Sequence, residues 1–327
     1  MPDVDRREDL YTVIAAPRDS FTRLENCLYN VFKHTHLPIE VICLAGGAPL
    51  SIQERLKKKY GDKVRFIFKD GFMTNAELRN IGLRESRTRF AVCLDSDVFV
   101  RPGWFEPLVQ CQRETGASLV TPIVLDRQNL IHTAGNSLYI TEVRGKKCGT
   151  AELRYANQPF AGTTNIPRQE TDFAEVHCHY MEVDTALGLG IYDENLREGH
   201  DYDSGLTLRK AGKKIMLEPR SFVYLHYPQL QDRIEDIPLY QWKWDVELVM
   251  DGFAYFEKKW DIDMVTKSNM RNFIIMLNHR VGFCTQLYLS KVSISIDRFY
   301  FNVKNRLFSS MPLWRRFKNK ALGLSRS

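Results

Sequence analysis

Apolar runs of five to seven residues alternate with stretches of helical periodicity along the first 125 residues. The runs predict strands at 11–16, 38–44, 64–68, 90–94 and 118–124. The periodic stretches predict helices that run from Asp19 or Ser20 to 32 and over 51–60, 74–85 and 105–115. This alternation favours an α/β fold with a mostly parallel central sheet that helices cover on both faces.

The pattern becomes irregular after residue 125. Residues 126–171 are rich in Gly, Thr and Asn, and we interpret them as an insertion that covers the site. Regular elements then return. They are a predicted strand at 173–183, a helix at 201–211, and strands at 215–217 and 222–225.

Charge divides the chain more sharply than overall composition does. The 327 residues are 44% hydrophobic, which is enough for a packed core, and their net charge is +6. From Met264 onward 12 Lys or Arg accompany a single acid, Asp297, whereas the preceding part has a balance of −5. We therefore divide the chain into a tail at 1–9, a domain at 10–230, and a helical extension at 231–327 that is basic from about 264.

The basic end of the chain has two open interpretations. Residues 312–322 resemble a short amphipathic helix that suits either an anionic membrane surface or packing on the domain. No nucleic-acid-binding module is recognisable, so nucleic acid is not an expected partner.

The expected location follows from what the chain lacks. No apolar run reaches the roughly 20 residues of a membrane span, and the charged N-terminus has no apolar secretory segment. Seven scattered cysteines without metal spacing indicate reduced thiols. We expect a cytoplasmic protein, with peripheral attachment to the inner face of the membrane as the alternative.

The strongest chemical signal lies at the end of the fourth predicted strand. Asp95-Ser96-Asp97 follows a buried run, and an open α/β sheet binds its ligand beyond the carboxyl ends of its strands. Two carboxylates at this spacing suit Mg²⁺ or Mn²⁺ that carries a phosphorylated ligand. A polar turn without chemistry is the alternative, because Asp and Ser are common in turns.

Six short elements occur in the order found in a known family. They are Ala16-Pro17-Arg18, Arg79-Asn80-Ile81-Gly82, Asp95-Ser96-Asp97, Pro102-Gly103-Trp104, the block from Asp193 to Gly212 with His200-Asp201-Tyr202-Asp203, and His226. In these elements the chain resembles glycosyltransferase family 2, whose members use nucleotide sugars and have the GT-A fold, over about 11–228. The resemblance implies transfer of a sugar from a UDP-, GDP- or dTDP-linked donor to an acceptor hydroxyl in glycan or polysaccharide synthesis. Inversion at the sugar and Mn²⁺ or Mg²⁺ as cofactor are part of the same expectation.

The resemblance also implies a donor side built around the two aspartates. Asp97 is the main metal ligand, Asp95 contacts the ribose or a metal-bound water, and His226 is a further metal ligand. The other donor-binding candidates are Ala15, Pro17, Arg18, Arg79, Asn80 and Ser96. Arg79 suits a phosphate through its planar guanidinium, although a solvated helix arginine is the plainer alternative, as a packed histidine is for His226.

The acceptor hydroxyl requires a general base. Asp201 is the candidate and Asp203 the second choice, because the N-terminus of a helix favours ionised acids. The helix alone would predict two capping acids instead. Glu175, His177 and His200 are candidates for the acceptor side. A zinc site at His177-Cys178-His179 is disfavoured, because two further ligands at metal spacing are missing.

Two departures from the family pattern bear on function. Ala45-Gly46-Gly47 stands where members usually have an acid that contacts the nucleotide base, and His200 replaces the usual glutamate before the catalytic aspartate. The first departure motivates an alternative function, a GT-A-like binding or scaffold protein. A nucleotidyltransferase is the other alternative, but the turn after the first strand lacks the Gly-rich phosphate loop of that class.

Overall fold

The computed structural model describes residues 6–160, 165–226 and 234–264. Its strands are β1 (Arg7–Ala16), β2 (Ile39–Gly46), β3 (Arg65–Lys69), β4 (Thr88–Asp95), β5 (Val98–Val100), β6 (Leu119–Leu125), β7 (Ile131–Thr133), β8 (Asn136–Val143), β9 (Lys146–Leu153), β10 (Gln169–Glu170), β11 (Cys178–Glu182) and β12 (Ile215–Leu225). Its α-helices are α1 (Leu24–His34), α2 (Leu50–Tyr60), α3 (Asn75–Glu85), α4 (Glu106–Thr115), α5 (Val183–Leu189), α6 (His200–Lys210), α7 (Ile237–Lys243) and α8 (Val246–Trp260). The predicted basic segment, including 312–322, lies outside the described residues.

A mixed sheet of ten described strands forms the centre of the fold. Strands β3, β2, β1 and β4 lie side by side and parallel, and β11 then runs antiparallel between β4 and β6. β12 pairs with β6 in parallel, while β5 and β7 add antiparallel pairings. The predicted α/β class is confirmed, and the insertion of β11 makes the sheet mixed.

Helices cover both faces of this sheet because successive residues of a strand point to opposite sides. In β1, Val13 and Ala15 pack in a buried cluster with side chains of α1, α2 and α4. Ile14 and Ala16 pack in a second buried cluster with side chains of α3 and α5. The two cores hold β1 and β4 rigidly up to their carboxyl ends, where the candidate site residues lie.

Helix α3 approaches the sheet unusually closely. Thr74 and Glu77 form a capping box at its start, in which each side chain accepts the backbone amide of the other. A Cβ atom on Gly82 would lie 2.6 Å from Cγ2 of Ile14, so the absence of a side chain permits this distance. As a result, α3 presents Asn75 and Arg79 to the end of β4.

The region 126–171 contains regular strands, in contrast to the irregular insertion predicted from sequence. β8 and β9 form a hairpin, and its two turn residues, Arg144 and Gly145, both have positive φ. Arg-Gly is a weaker hairpin signal than Asn-Gly, so the pattern did not reveal the turn. The hairpin packs against α8 through an apolar cluster that includes Leu138 and Phe256.

Two other predicted elements differ from the structure. The strand predicted at 173–183 is limited to β11, and α5 follows it directly. The strands predicted at 215–217 and 222–225 are one strand, β12, whose register shifts between Glu218 and Phe222. An apolar stretch does not by itself distinguish a buried strand from a buried helix, which explains the missed α5.

The start of the C-terminal extension packs against the first βα loop. The carboxylate of Asp236 accepts hydrogen bonds from the amides of Phe21 (2.6 Å) and Thr22 (3.1 Å) and from the hydroxyls of Ser20 and Thr22. α7 and α8 follow, and both belong to the folded body. Among the described residues, no helix is both long and apolar enough to cross a membrane. The described cysteines are free and buried.

Candidate functional site

The turn after β4 is tied to the loop after β1. The Ser96 amide donates to the Ala16 carbonyl oxygen over 2.8 Å, and the Ser96 hydroxyl donates to the Ser20 carbonyl oxygen over 2.8 Å. Because Ser96 is fully buried, it holds this turn in place from within and has no surface left for a donor. The tie places Asp97 next to Arg18.

Asp95 is surrounded by hydrogen-bonding partners. Its Oδ1 accepts from Nη2 of Arg79 (2.6 Å) and Nδ2 of Asn75 (3.1 Å), and its Oδ2 lies 3.2 Å from Nδ1 of His177. Burial alone would raise the pKa of Asp95, but the Arg79 guanidinium and the His177 hydrogen bond hold that pKa well below its usual range. Asp95 is therefore a fixed anion with a fixed orientation.

Asp97 is fully buried, yet neither of its carboxylate oxygens accepts a hydrogen bond from a described residue. Nη1 of Arg18 lies 3.8 Å from its Oδ2. Burial raises the pKa of Asp97 to about 7; Arg18 opposes the shift and Asp19 adds to it. A buried carboxylate in this state is stabilised by a cation. One ligand atom each from Asp95, Asp97 and His177 lies within 4.8 Å of the other two, which makes this group a candidate metal site.

A cavity of about 300 Å³ opens beside these residues. Strand ends contribute Arg18 and His177 to its lining, α6 contributes Asp201, and α7 contributes Trp242 and Lys243. Burial lowers the pKa of the Lys243 ammonium. The cavity thus combines cations, acids and aromatic surface, the mixture found in sites for polar ligands.

Asp201 lies in the first turn of α6 and lines the cavity. Its Oδ1 accepts a hydrogen bond from the Val176 amide over 2.9 Å, which fixes the carboxylate relative to β11. Burial raises the pKa of Asp201 to about 8, and the negative charges of Glu175 and Glu198 add to the shift. A carboxyl group with this pKa at a cavity wall has the properties of a proton acceptor near neutral pH.

Asp203 is turned toward α8 instead. Its Oδ1 accepts from Nε1 of Trp260 (2.7 Å) and lies 2.8 Å from Nζ of Lys259. It is buried and is absent from the cavity lining. The second choice for the general base is therefore not supported, because an i, i+2 spacing on a helix directs the two side chains to different faces.

A sequence profile described as Glycosyl transferase family 2 matches residues 13–171, a stretch that includes β1, α3 and both aspartates of the turn. Residues 13–171 of the chain belong to glycosyltransferase family 2. The predicted family is confirmed.

This family 2 chain has curated relatives that are longer than itself. A pre-mycofactocin glycosyltransferase of Mycobacterium tuberculosis is 27% identical over 160 residues, which cover 49% of this chain and 32% of the relative. The match therefore spans about a third of the length of that protein.

Two solved structures are similar to the chain to different degrees. GalNAc-T7, crystallised with UDP, GalNAc and Mn²⁺, has a TM-score of 0.51 and 16% identity to the chain, over 67% of this chain and 43% of that one. Residues 1–349 of S. aureus TarS, in complex with UDP-GlcNAc, give a TM-score of 0.47 and 13% identity, over 79% of this chain and 74% of that one. The likeness to GalNAc-T7 confirms the predicted GT-A fold.

Two donor-side candidates of this family 2 domain are internal supports. Arg79 is 1% exposed and donates to Asp95 and to the Val176 carbonyl oxygen, so it holds Asp95 in place and the predicted phosphate contact is not supported. Asn80 donates to the Tyr192 carbonyl oxygen and to Glu194 and thereby ties α3 to the loop before α6. Ala15 and Pro17 are buried at the end of β1, and of the group only Arg18 lines the cavity.

The two remaining histidine candidates differ in position. The amide of His226 donates to the Asp97 carbonyl oxygen over 2.8 Å, while its ring packs against Phe99 with centroids 4.3 Å apart. His226 is absent from the described groups whose ligand atoms could share a cation, so its role as a ligand stays a prediction. His200 donates from Nε2 to the Leu196 carbonyl oxygen over 2.7 Å and lines the cavity.

Gly46 and Gly47 stand where the family usually has an acid that contacts the base, and close packing explains the absence of a side chain there. A Cβ on Gly46 would lie 2.6 Å from Cγ of Met73, and a Cβ on Gly47, which has φ +71°, would lie 2.7 Å from the Phe72 ring. The loop between β3 and α3 therefore occupies the space that an acidic side chain would need. Recognition of the base in this chain has to use other groups.

Sequence reasoning missed several polar residues of the cavity, among them His132 and Lys243. His132 lies in β7, a three-residue strand whose sequence carries no recognisable period. Lys243 lies beyond residue 230, where we had ended the domain. Only the fold brings either residue to the site.

Proposed function

We propose that this chain is a metal-dependent, inverting glycosyltransferase that moves a sugar from a nucleoside diphosphate to an acceptor hydroxyl. The proposal rests on the position of Asp97. Its buried carboxylate accepts no hydrogen bond from a described residue and lies beside Arg18 at the carboxyl ends of β1 and β4. GalNAc-T7, which has the same fold, was crystallised with UDP and Mn²⁺, and this supports the same class of donor and metal here.

The residues present fit Mn²⁺ or Mg²⁺. Asp97 would hold the cation, and Asp95 would share it. His177 would support Asp95 through its Nδ1 contact. When bound, such a cation acts as a Lewis acid and neutralises charge that develops on the leaving diphosphate.

The chain's own side chains account for the rest of the transfer. Arg18 and Lys243 supply positive charge to the cavity, which suits a diphosphate. Asp201 accepts the proton of the acceptor hydroxyl, and the acceptor oxygen forms a bond to the anomeric carbon. The bond between that carbon and the diphosphate oxygen breaks on the opposite side, so the configuration inverts.

The acceptor and the cellular location of the protein form the last part of the proposal. The domain that matches the family includes neither Asp201 nor Lys243, and the aromatic surface near Lys243 suits a sugar ring as acceptor. We keep cytoplasmic residence, with attachment through the basic end of the chain to an anionic membrane, as part of the proposal.

Ligand-dependent thermal unfolding tests this function. UDP, GDP and dTDP are added singly to the full chain with and without Mn²⁺, and the true donor nucleotide should raise the unfolding temperature only when the metal is present. A ligand at 100 times its Kd stabilises the folded state by about 2.7 kcal/mol, which is readily measured. If no nucleoside diphosphate has an effect in Mn²⁺ or Mg²⁺, the binding or scaffold function gains support and the transferase is rejected.

A further inference from the structure

Three side chains from two segments of the chain meet at the cavity. They are His132 of β7 and the pair Glu175 and His177 before β11. Nε2 of His132 lies 2.9 Å from Oε2 of Glu175, and Nε2 of His177 lies 3.7 Å from the same oxygen. The two imidazole rings stand edge to face with centroids 5.4 Å apart. One ligand atom from each residue lies within 4.8 Å of the other two.

These distances suit direct coordination of one ion. Zinc bonds to imidazole nitrogen and carboxylate oxygen measure about 2.0–2.2 Å, so tetrahedral ligand atoms lie about 3.4 Å apart. The two measured separations from Glu175 lie on either side of this value. Small side-chain rotations would therefore bring the three ligand atoms to separations that one bound ion requires.

The second nitrogen of His177 is already held as in a metal site. Its Nδ1 lies 3.2 Å from Oδ2 of Asp95, whose other oxygen is fixed by Arg79. Histidines that bind metals usually pair their other nitrogen with a carboxylate, which sets the ring's orientation and raises its basicity. The Asp95 contact leaves Nε2 of His177 to face Glu175.

We propose that His132, Glu175 and His177 bind a borderline divalent cation such as Zn²⁺, at a site distinct from the diphosphate-binding metal. Two imidazoles and one carboxylate favour Zn²⁺ over Mg²⁺, whereas a buried aspartate suits a hard cation. All three residues line the cavity, so the ion is accessible to a small ligand. The site does not depend on the transfer reaction.

The tripeptide His177-Cys178-His179, disfavoured as a zinc site from sequence, contributes only His177 to the proposed site. His179 has other partners: its Nδ1 lies 3.0 Å from the Tyr192 hydroxyl and its Nε2 lies 3.2 Å from the Ala174 carbonyl oxygen. Cys178 is fully buried. Glu175 and the distant His132 supply the ligands that the short motif lacked.

Cobalt binding to the full chain tests the site. The protein is stripped with a chelator, dialysed, and titrated with Co²⁺ without nucleotide, while visible absorption and bound metal are measured. In wild type, one equivalent of Co²⁺ per chain should show the intense absorption of a four- or five-coordinate ion. Glu175→Gln and His132→Gln should each weaken binding at least tenfold, since even outer contacts are worth 10–100-fold.

Matched controls separate this site from the donor metal. His36→Gln changes an exposed histidine and should bind Co²⁺ as wild type does, and Asp97→Asn should also retain the absorption. Thermal unfolding of the stripped variants checks that they fold. If His132→Gln does not fold, the test relies on Glu175→Gln, which keeps the size and shape of the side chain. Wild-type Co²⁺ affinity and spectrum in Glu175→Gln would overturn the site, as would loss of the absorption in Asp97→Asn alone. Neither result bears on nucleotide binding, so the transferase proposal is tested separately.

Discussion

Two pairs of aspartates have the same spacing, one at the end of β4 and one at the start of α6. In each pair one member is held by cations or hydrogen-bond donors and the other is left for chemistry. Asp95 is held by Arg79, whereas both oxygens of Asp97 lack donors. Asp203 is held by Lys259 and Trp260, whereas Asp201 has one amide contact and lines the cavity.

The pairs differ in where the support comes from. Arg79 belongs to the same sheet-and-helix unit as β4, so the strand end is organised from within the domain. Lys259 and Trp260 belong to α8, so the start of α6 is organised by the C-terminal extension. The proposed metal side of the site and the proposed proton-accepting side are therefore supported by different parts of the chain.

Asp97→Asn should have the largest effect on transfer. The amide keeps the shape but removes the charge that holds the cation, and a bound cation contributes several kcal/mol to transition-state stabilisation. We expect transfer to fall by at least about 10³-fold, with loss of its dependence on Mn²⁺ concentration. Donor turnover measured against Mn²⁺ concentration tests this, and Asp70→Asn, at an exposed acid, is the matched control. Turnover within twofold of wild type would remove Asp97 from the site.

Asp201→Asn should abolish transfer by a different route. Loss of a general base typically costs 10²–10⁴-fold in rate. Since Asp201 is not among the candidate metal ligands, the variant should still bind the donor nucleotide with Mn²⁺, measured by calorimetry. A variant that loses nucleotide binding and turnover together would contradict the separation of the two sides.

Arg79→Met tests the support of the metal side. The change leaves the Asp95 carboxylate buried without its main cation, and breaking a buried ion pair costs about 3–5 kcal/mol of the free energy of unfolding. Urea denaturation gives this quantity. Adding Asp95→Asn to Arg79→Met should recover part of the loss, because the unpaired charge is gone. A double variant that is as unstable as the sum of the two single variants would argue against the pairing.

The pKa of Asp201 predicts how the rate depends on pH. Only the ionised carboxylate accepts a proton, and its pKa is raised to about 8. The rate should therefore rise about tenfold per pH unit below 8, roughly 10² between pH 6 and 8, and level off above. Because the folded state retains a proton that the unfolded state releases near pH 4, the free energy of unfolding should fall as pH rises from about 4 to 8. Asp201→Asn should show a smaller decline, because Asp97, whose pKa is also raised, still contributes.

Asp203→Asn should have the smallest effect on turnover. The amide keeps one oxygen for Trp260 but loses the charge that attracts Lys259, and we expect a loss of about 1–3 kcal/mol in the free energy of unfolding. Its turnover rate per folded molecule should stay within about tenfold of wild type. This corresponds to a change of less than about 1.4 kcal/mol in the activation free energy. A loss as large as that of Asp201→Asn would restore Asp203 as a candidate base.

The sequence predicted the core of the fold well, and it supplied the candidate residues for the proposed metal side of the site. Strands β1 to β4 and α3 were recognisable because each has a strong period and clear ends, such as the Thr74 cap. Asp97 and Asp201 were identifiable because both lie in short motifs at element ends. Local pattern was sufficient wherever the residues that matter are near one another in the chain.

Roles that depend on a distant partner could not be predicted. Arg79 had the type and position of a phosphate ligand, and only its burial against Asp95 shows that it acts as a support. Asp203 was set apart from Asp201 by α8, which lies more than 40 residues later. His132 reaches Glu175 through β7, a strand too short to carry a period. In each case tertiary contacts decide the role.

The bonds from Asp236 to Ser20, Phe21 and Thr22 have a consequence for how the chain is made. The first loop of the protein receives its final partners from a residue more than 200 positions later. At a synthesis rate of 5–20 residues per second, that residue emerges roughly 10–40 s after the loop itself. The loop at the carboxyl end of β1 therefore lacks these hydrogen bonds through most of translation. A nascent chain should acquire resistance to proteolysis at this loop only after its C-terminal third has left the ribosome.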